Sequence, residues 1–110
     1  MPKYNKLVRD RIPEIIAENG QTYHVKKLEE EDYLVELRRK AQEELNEYFE
    51  SSKTNEAIEE LADVLEVIYA LGQVHGVEPA ELEKIRRLKA ERRGRFAKKL
   101  FLLDVEEGKA

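Results

Sequence analysis

The second of two long helical patterns in this chain carries acidic residues inside its apolar surface. From Thr54 to His75 the residues Ile58, Leu61, Ala62, Leu65, Ile68 and Leu71 recur at helical spacing, and Val64, Val67, Leu71 and Val74 form a flank beside that stripe. Glu60 and Asp63 fall on the flank. A carboxylate on a face meant for burial is costly unless it is paired or holds a metal ion, so the fold must bring it a partner. The spacing of three residues places both side chains on one side of the helix, one turn apart.

The preceding pattern runs from about Glu30 to Glu50, with Leu34, Leu37, Ala41, Leu45 and Tyr48 as its stripe. Glu44 sits at the edge of that stripe and Glu47 lies one turn further on. Ser51-Ser52-Lys53 interrupts the pattern, Thr54 is placed to cap the next helix, and His75-Gly76 is a natural stop for it. Two long helices joined by so short a connection are expected to form an antiparallel hairpin. Each helix then offers a Glu-x-x-acid pair to the shared seam, and four converging carboxylates repel by several kcal/mol unless divalent cations separate them. An all-oxygen donor set favours magnesium, with manganese as a substitute. Single Glu-x-x-Glu pairs are common on charged helices as solvated faces, which is the reading kept for Glu43, Glu56, Glu59 and Glu66, with Glu43 and Glu59 the two placed to support the metal ligands from outside.

Elsewhere the signals are shorter. Asp10 before Arg11-Ile12-Pro13 reads as an N-cap, and the helix it opens should stop at Asn19-Gly20. Thr22 to Leu28 is compatible with an extended segment but too short to define a sheet. A third helix is expected from Glu78-Pro79, carrying Leu82, Ile85, Leu88 and, past a weak point at Gly94, Phe96. The run Leu100-Phe101-Leu102-Leu103-Asp104-Val105 is apolar enough to dock, as a strand or as an extended arm. No linker or repeat divides the chain, so residues 1–110 are expected to form one domain in the all-α class.

Charged residues make up 40% of the 110 and hydrophobic ones 41%, so one core is the ceiling and a partner subunit is expected to complete it. The chain has no cysteine, which excludes disulfides, thiolate nucleophiles and cysteine-ligated metals. The opening Met1 to Lys6 lacks the apolar run of a secretion signal, and no stretch suits a membrane span, so a cytoplasmic location is expected. A net charge of -4 argues against general nucleic-acid binding. The charge is uneven, however. Lys84, Arg86, Arg87, Lys89, Arg92, Arg93, Arg95, Lys98 and Lys99 make one basic segment, and the acidic residues concentrate between Glu29 and Glu66.

The runs Lys40-Ala41-Gln42-Glu43-Glu44-Leu45-Asn46-Glu47 and Glu59-Glu60-Leu61-Ala62-Asp63-Val64-Leu65-Glu66-Val67 resemble the paired acidic signature of the MazG-like all-α nucleoside triphosphate pyrophosphohydrolases. That superfamily includes phosphoribosyl-ATP pyrophosphohydrolase. The opening Tyr4 to Ile16 is similar to that of a compact branch described as house-cleaning pyrophosphatases, as are Lys89, Arg93, Gly94 and Phe96 near the end. The resemblance implies a helical bundle whose metal ligands are Glu44, Glu47, Glu60 and Asp63. It implies magnesium-dependent hydrolysis between the α- and β-phosphates of a nucleotide, giving the monophosphate and pyrophosphate. Lys6, Arg9, Lys89 and Arg93 are marked as contacts to the substrate phosphates, and a homodimer or homotetramer is expected.

Hydrolysis of this kind needs no nucleophilic side chain, only a carboxylate that takes a proton from water. Glu43 and Glu47 both suit that role. Two other readings stay open at this point: phosphoribosyl-ATP hydrolysis, which the N-terminal run fits less well, and a non-catalytic helical module whose acidic cluster pairs with its own basic segment. His24 and His75 stand far apart, with no second ligand at metal-binding spacing, and read as ordinary surface or helix-end residues.

Overall fold

The structure is a computed structural model and describes residues 4–108. Among those residues there are four helices and no strand: α1 (Ile12–Glu18), α2 (Glu30–Glu50), α3 (Thr54–Val74) and α4 (Pro79–Arg93). The fold is all-α, as the periodicity predicts.

The hairpin of α2 and α3 is the body of the molecule. Each helix has 21 residues, and Ser51, Ser52 and Lys53 alone join them, so the two run antiparallel. Ser51 closes the first helix by donating its hydroxyl to the Tyr48 carbonyl at 2.6 Å. Two expected caps move by one residue. Lys53, not Thr54, is the N-cap of α3, and Arg11, not Asp10, is that of α1; neither side chain makes a capping hydrogen bond. At α1 the start follows from Pro13, whose fixed φ suits the first helical turn, and Arg11 instead holds Glu14 at 3.1 Å. Thr22 to Leu28 forms neither helix nor strand.

The core lies where the sequence pattern puts only a flank. Leu37 of α2 and Val64 and Val67 of α3 are the buried hydrophobic residues, at 3%, 9% and 8% exposure, and Glu44 is buried with them. The principal stripe of α3 is open instead, with Ile58, Leu61, Leu65 and Ile68 between 41% and 60% exposed. Because Glu60 and Asp63 share the flank with Val64 and Val67, turning that flank inward carries both carboxylates to the α2 seam.

At the far end Gly76, with φ of +91°, turns the chain from α3 into α4. Gly72 lets α4 approach closely: a Cβ there would lie 3.3 Å from Val77 Cγ2 and 3.4 Å from Leu82 Cδ2. The helix α4 ends at Arg93 rather than continuing to Phe96, because Gly94 adopts φ of +83°. Beyond it Phe96 and residues 100–105 extend without helix or strand, so the apolar end is an arm. No helix among the described residues is long and apolar enough to cross a membrane.

Candidate active site

Facing turns of α2 and α3 bring the acidic residues together. Carboxylate oxygens of Glu44, Glu60 and Asp63 lie within 4.8 Å of one another, and so do those of Glu43, Glu44 and Glu47. Glu44 belongs to both groups and is the buried member. It occupies that position because Leu37 and Glu44 are seven residues apart, two turns along one face of α2.

Crowding changes the acidity of the cluster. Burial, and then the neighbouring Glu47, push the Glu44 carboxyl above the ordinary carboxylate range, against the pull of Lys40. Glu47 is raised as well, first by loss of hydration and then by Glu60 beside it. Lys40 supplies the cation on α2: its Nζ stands 3.4 Å from Glu44 and 3.6 Å from Glu43. The second Glu44 oxygen, Oε2, is buried with no hydrogen-bond partner, and so is Glu60 Oε2. Two buried carboxylate oxygens left unpaired within a crowd of acids fit a divalent cation, whose hard oxygen ligands these are.

From the N-terminal segment Arg9 reaches across to α3. Its Nη2 donates to Asp63 Oδ1 at 2.6 Å, a partnership spanning 54 residues of chain. The guanidinium thus pairs with a cluster carboxylate and not with adjacent Asp10. Residues Leu7 to Arg11 wall a cleft of about 470 Å³ together with Tyr33, Lys40, Glu44, Asp63, Glu66 and Gln73. That cleft is lined by acidic and cationic side chains together with Leu37, Val67 and Ala70. Lys6 does not line this cleft, and its ammonium lies 5.7 Å from the Tyr4 ring centroid.

Lys89 and Arg93 lie elsewhere. They line a second groove, of about 500 Å³, with Arg86, Arg95 and Phe96 at the end of α4. Within one chain the two cationic sets therefore border different clefts. Lys40, Tyr33 and Gln73 are cleft residues that sequence reasoning did not single out. Lys40 had a readable signal, four residues before Glu44 and three before Glu43, whereas Tyr33 and Gln73 are brought in by the hairpin alone.

The arrangement can hold a divalent ion and, beside it, a charged ligand with an extended body. A family model for phosphoribosyl-ATP pyrophosphohydrolase matches residues 1–89, which include α1, α2, α3 and every carboxylate of the cluster. No curated protein and no solved structure matches the chain. The carboxylate seam, with its cation at Lys40 and its cleft under the N-terminal segment, thus lies within a recognised catalytic family. The chain belongs to the phosphoribosyl-ATP pyrophosphohydrolase family of the MazG-like all-α superfamily, and is a pyrophosphohydrolase acting on a nucleotide.

Proposed function

We propose that the chain hydrolyses nucleoside triphosphates between the α- and β-phosphates, in a magnesium-dependent reaction yielding the monophosphate and pyrophosphate. One observation carries the reading: the carboxylates of Glu44, Glu60 and Asp63 converge within 4.8 Å while two of their buried oxygens lack any partner. Glu44, Glu47, Glu60 and Asp63 are the residues that would hold the ion, with manganese able to replace magnesium. Bound there, the ion supplies neutralisation of phosphate charge and acidification of water.

The remaining chemistry belongs to the side chains. Water adds to a phosphoryl group of the α–β bridge, Glu43 or Glu47 accepts its proton, and the bridging P–O bond breaks as the products separate. Loss of hydration, and then Glu60 beside it, push the Glu47 carboxyl above the ordinary carboxylate range, so it holds a proton more readily than an unperturbed carboxylate. Arg9 and Lys6 approach the phosphates from the N-terminal segment, and Lys89 and Arg93 reach them from a neighbouring subunit. Such a neighbour also covers the open stripe of α3, in a homodimer or homotetramer. Tyr33, Val67 and Ala70 border the part of the cleft suited to the nucleoside. The N-terminal run supports a house-cleaning role on non-canonical nucleotides.

The family match is equally compatible with a second substrate, since phosphoribosyl-ATP carries the same triphosphate and would release the same pyrophosphate. Pyrophosphate release from ordinary and modified nucleoside triphosphates and from phosphoribosyl-ATP, with magnesium, manganese or chelator, separates the two. Glu60→Gln and Asp63→Asn should each abolish metal-dependent release while leaving the helical circular dichroism unchanged. Turnover confined to phosphoribosyl-ATP would sink the nucleoside triphosphate reading, and no turnover on any nucleotide would sink both.

A further inference from the structure

The least explained surface of the molecule is its C-terminal arm. Phe96, Leu100, Phe101, Leu102, Leu103 and Val105 are 78–97% exposed, so no helix of their own chain covers them. The arm lies beyond residues 1–89, the part matched by the family model. Two further exposed apolar sets have the complementary character: Ile58, Leu61, Leu65 and Ile68 on α3, and Ile85 and Leu88 on α4.

We propose that the arm of one chain packs on the α3 stripe and α4 of a second copy. The lengths agree. Leu100 to Val105 spans about 17 Å when extended, and the rise from Ile58 to Ile68 along a helix is about 15 Å. The area agrees too. Successive side chains of an extended arm alternate in direction, so about three apolar side chains per arm, at about 100 Å² apiece, give a pair of arms on the order of 600 Å². A similar area on the covered helix faces brings the total to the lower end of a stable interface, roughly 1,200–2,000 Å².

Charge selects the partner surface. The arm ends in Asp104, Glu106 and Glu107, whereas α4 is rich in cations. Lys84 and Arg92 lie one helical turn before and one beyond Leu88, so both share its face of α4. An acidic end following an apolar run thus meets basic side chains following an apolar stripe. When each arm lies on the other chain's helices, the two reciprocal contacts are related by a twofold axis.

This inference rests on the oligomeric reading above and is tested apart from it. Sedimentation equilibrium of the full chain gives its self-association constant, to be compared with Phe101→Asp/Leu103→Asp and with Lys84→Glu/Arg92→Glu. Each pair should raise the dissociation constant by about tenfold or more. Reversing Asp104, Glu106 and Glu107 to Lys in the Lys84→Glu/Arg92→Glu background should restore most of the loss. Because the chain has no cysteine, Leu102→Cys and Ile68→Cys proteins can also be mixed and oxidised, and a disulfide between the two different chains is expected. Dimers whose constant ignores the arm substitutions would overturn the arm contact and leave the oligomer standing. Disulfides only between like chains, with none joining Leu102→Cys to Ile68→Cys, would also overturn it, and a monomer at every concentration would end both readings.

Discussion

Arg9 holds Asp63 with the shortest contact in the cluster, yet both partners are substantially solvated. An exposed ion pair is worth about 0.2–1 kcal/mol, so it can be displaced by a divalent cation. The Arg9→Ala protein should therefore bind magnesium up to about fivefold more tightly in the absence of nucleotide. The same substitution should weaken nucleotide binding, because the guanidinium released from Asp63 no longer reaches the phosphates. Calorimetric titration with each ligand separately checks both signs, and an unchanged magnesium affinity would show that Arg9 does not compete for the carboxylate.

The upward pKa shifts of the Glu44 and Glu47 carboxyls bear on stability in chelator. A carboxyl whose folded value exceeds its unfolded one makes the fold bind more protons than the unfolded chain does, so stability falls as pH rises through that interval. The metal-free protein should accordingly melt at a higher temperature at about pH 5 than at about pH 7. Glu44→Gln should remove much of the difference, since the amide fills the same space without charge. The convergence of Glu60 and Asp63 on the seam was legible because a carboxylate inside a helical apolar face breaks the pattern in plain view. The partnership of Arg9 with Asp63 was not, as it joins residues 54 positions apart and nothing local points from one to the other.

Among the elements, α3 separates what periodicity can and cannot say. Its bounds follow from the Ser-Ser-Lys break and the His75-Gly76 stop, and those signals are local. Which of its two apolar faces is turned toward α2 depends on a neighbour, and here the narrower flank with the acids is chosen over the richer stripe. Leu37→Ala, at the closed face, should cost about 2–5 kcal/mol in chemical denaturation. Leu65→Ala, on the open stripe, should cost much less in the isolated chain and act chiefly on self-association. Equal losses in dilute protein would mean that the stripe is already packed within one chain. The end of α4 was legible as a weak point at Gly94, although the positive φ that stops the helix there depends on backbone geometry the residue only permits.

As a whole, the molecule is too extended for its length. A compact chain of 110 residues has a radius of gyration of about 13 Å, whereas this one has 19.3 Å and extends over 71 × 35 × 22 Å. The composition foreshadowed that shortfall, because 40% charge leaves few side chains for a core, but it did not say which surfaces would stay open. With Leu37, Val64 and Val67 as its buried hydrophobic residues, a lone chain has little to offset the entropy of ordering four helices. Folding and association should then be one equilibrium, so that thermal stability depends on protein concentration. For a dimer of this size a tenfold dilution removes about 1.4 kcal/mol and should lower Tm by about 3 °C. Calorimetric scans over a hundredfold range of concentration test this directly: a progressive fall in Tm fits coupled folding, and a constant Tm would require each chain to fold alone around the small core of its α2–α3 seam.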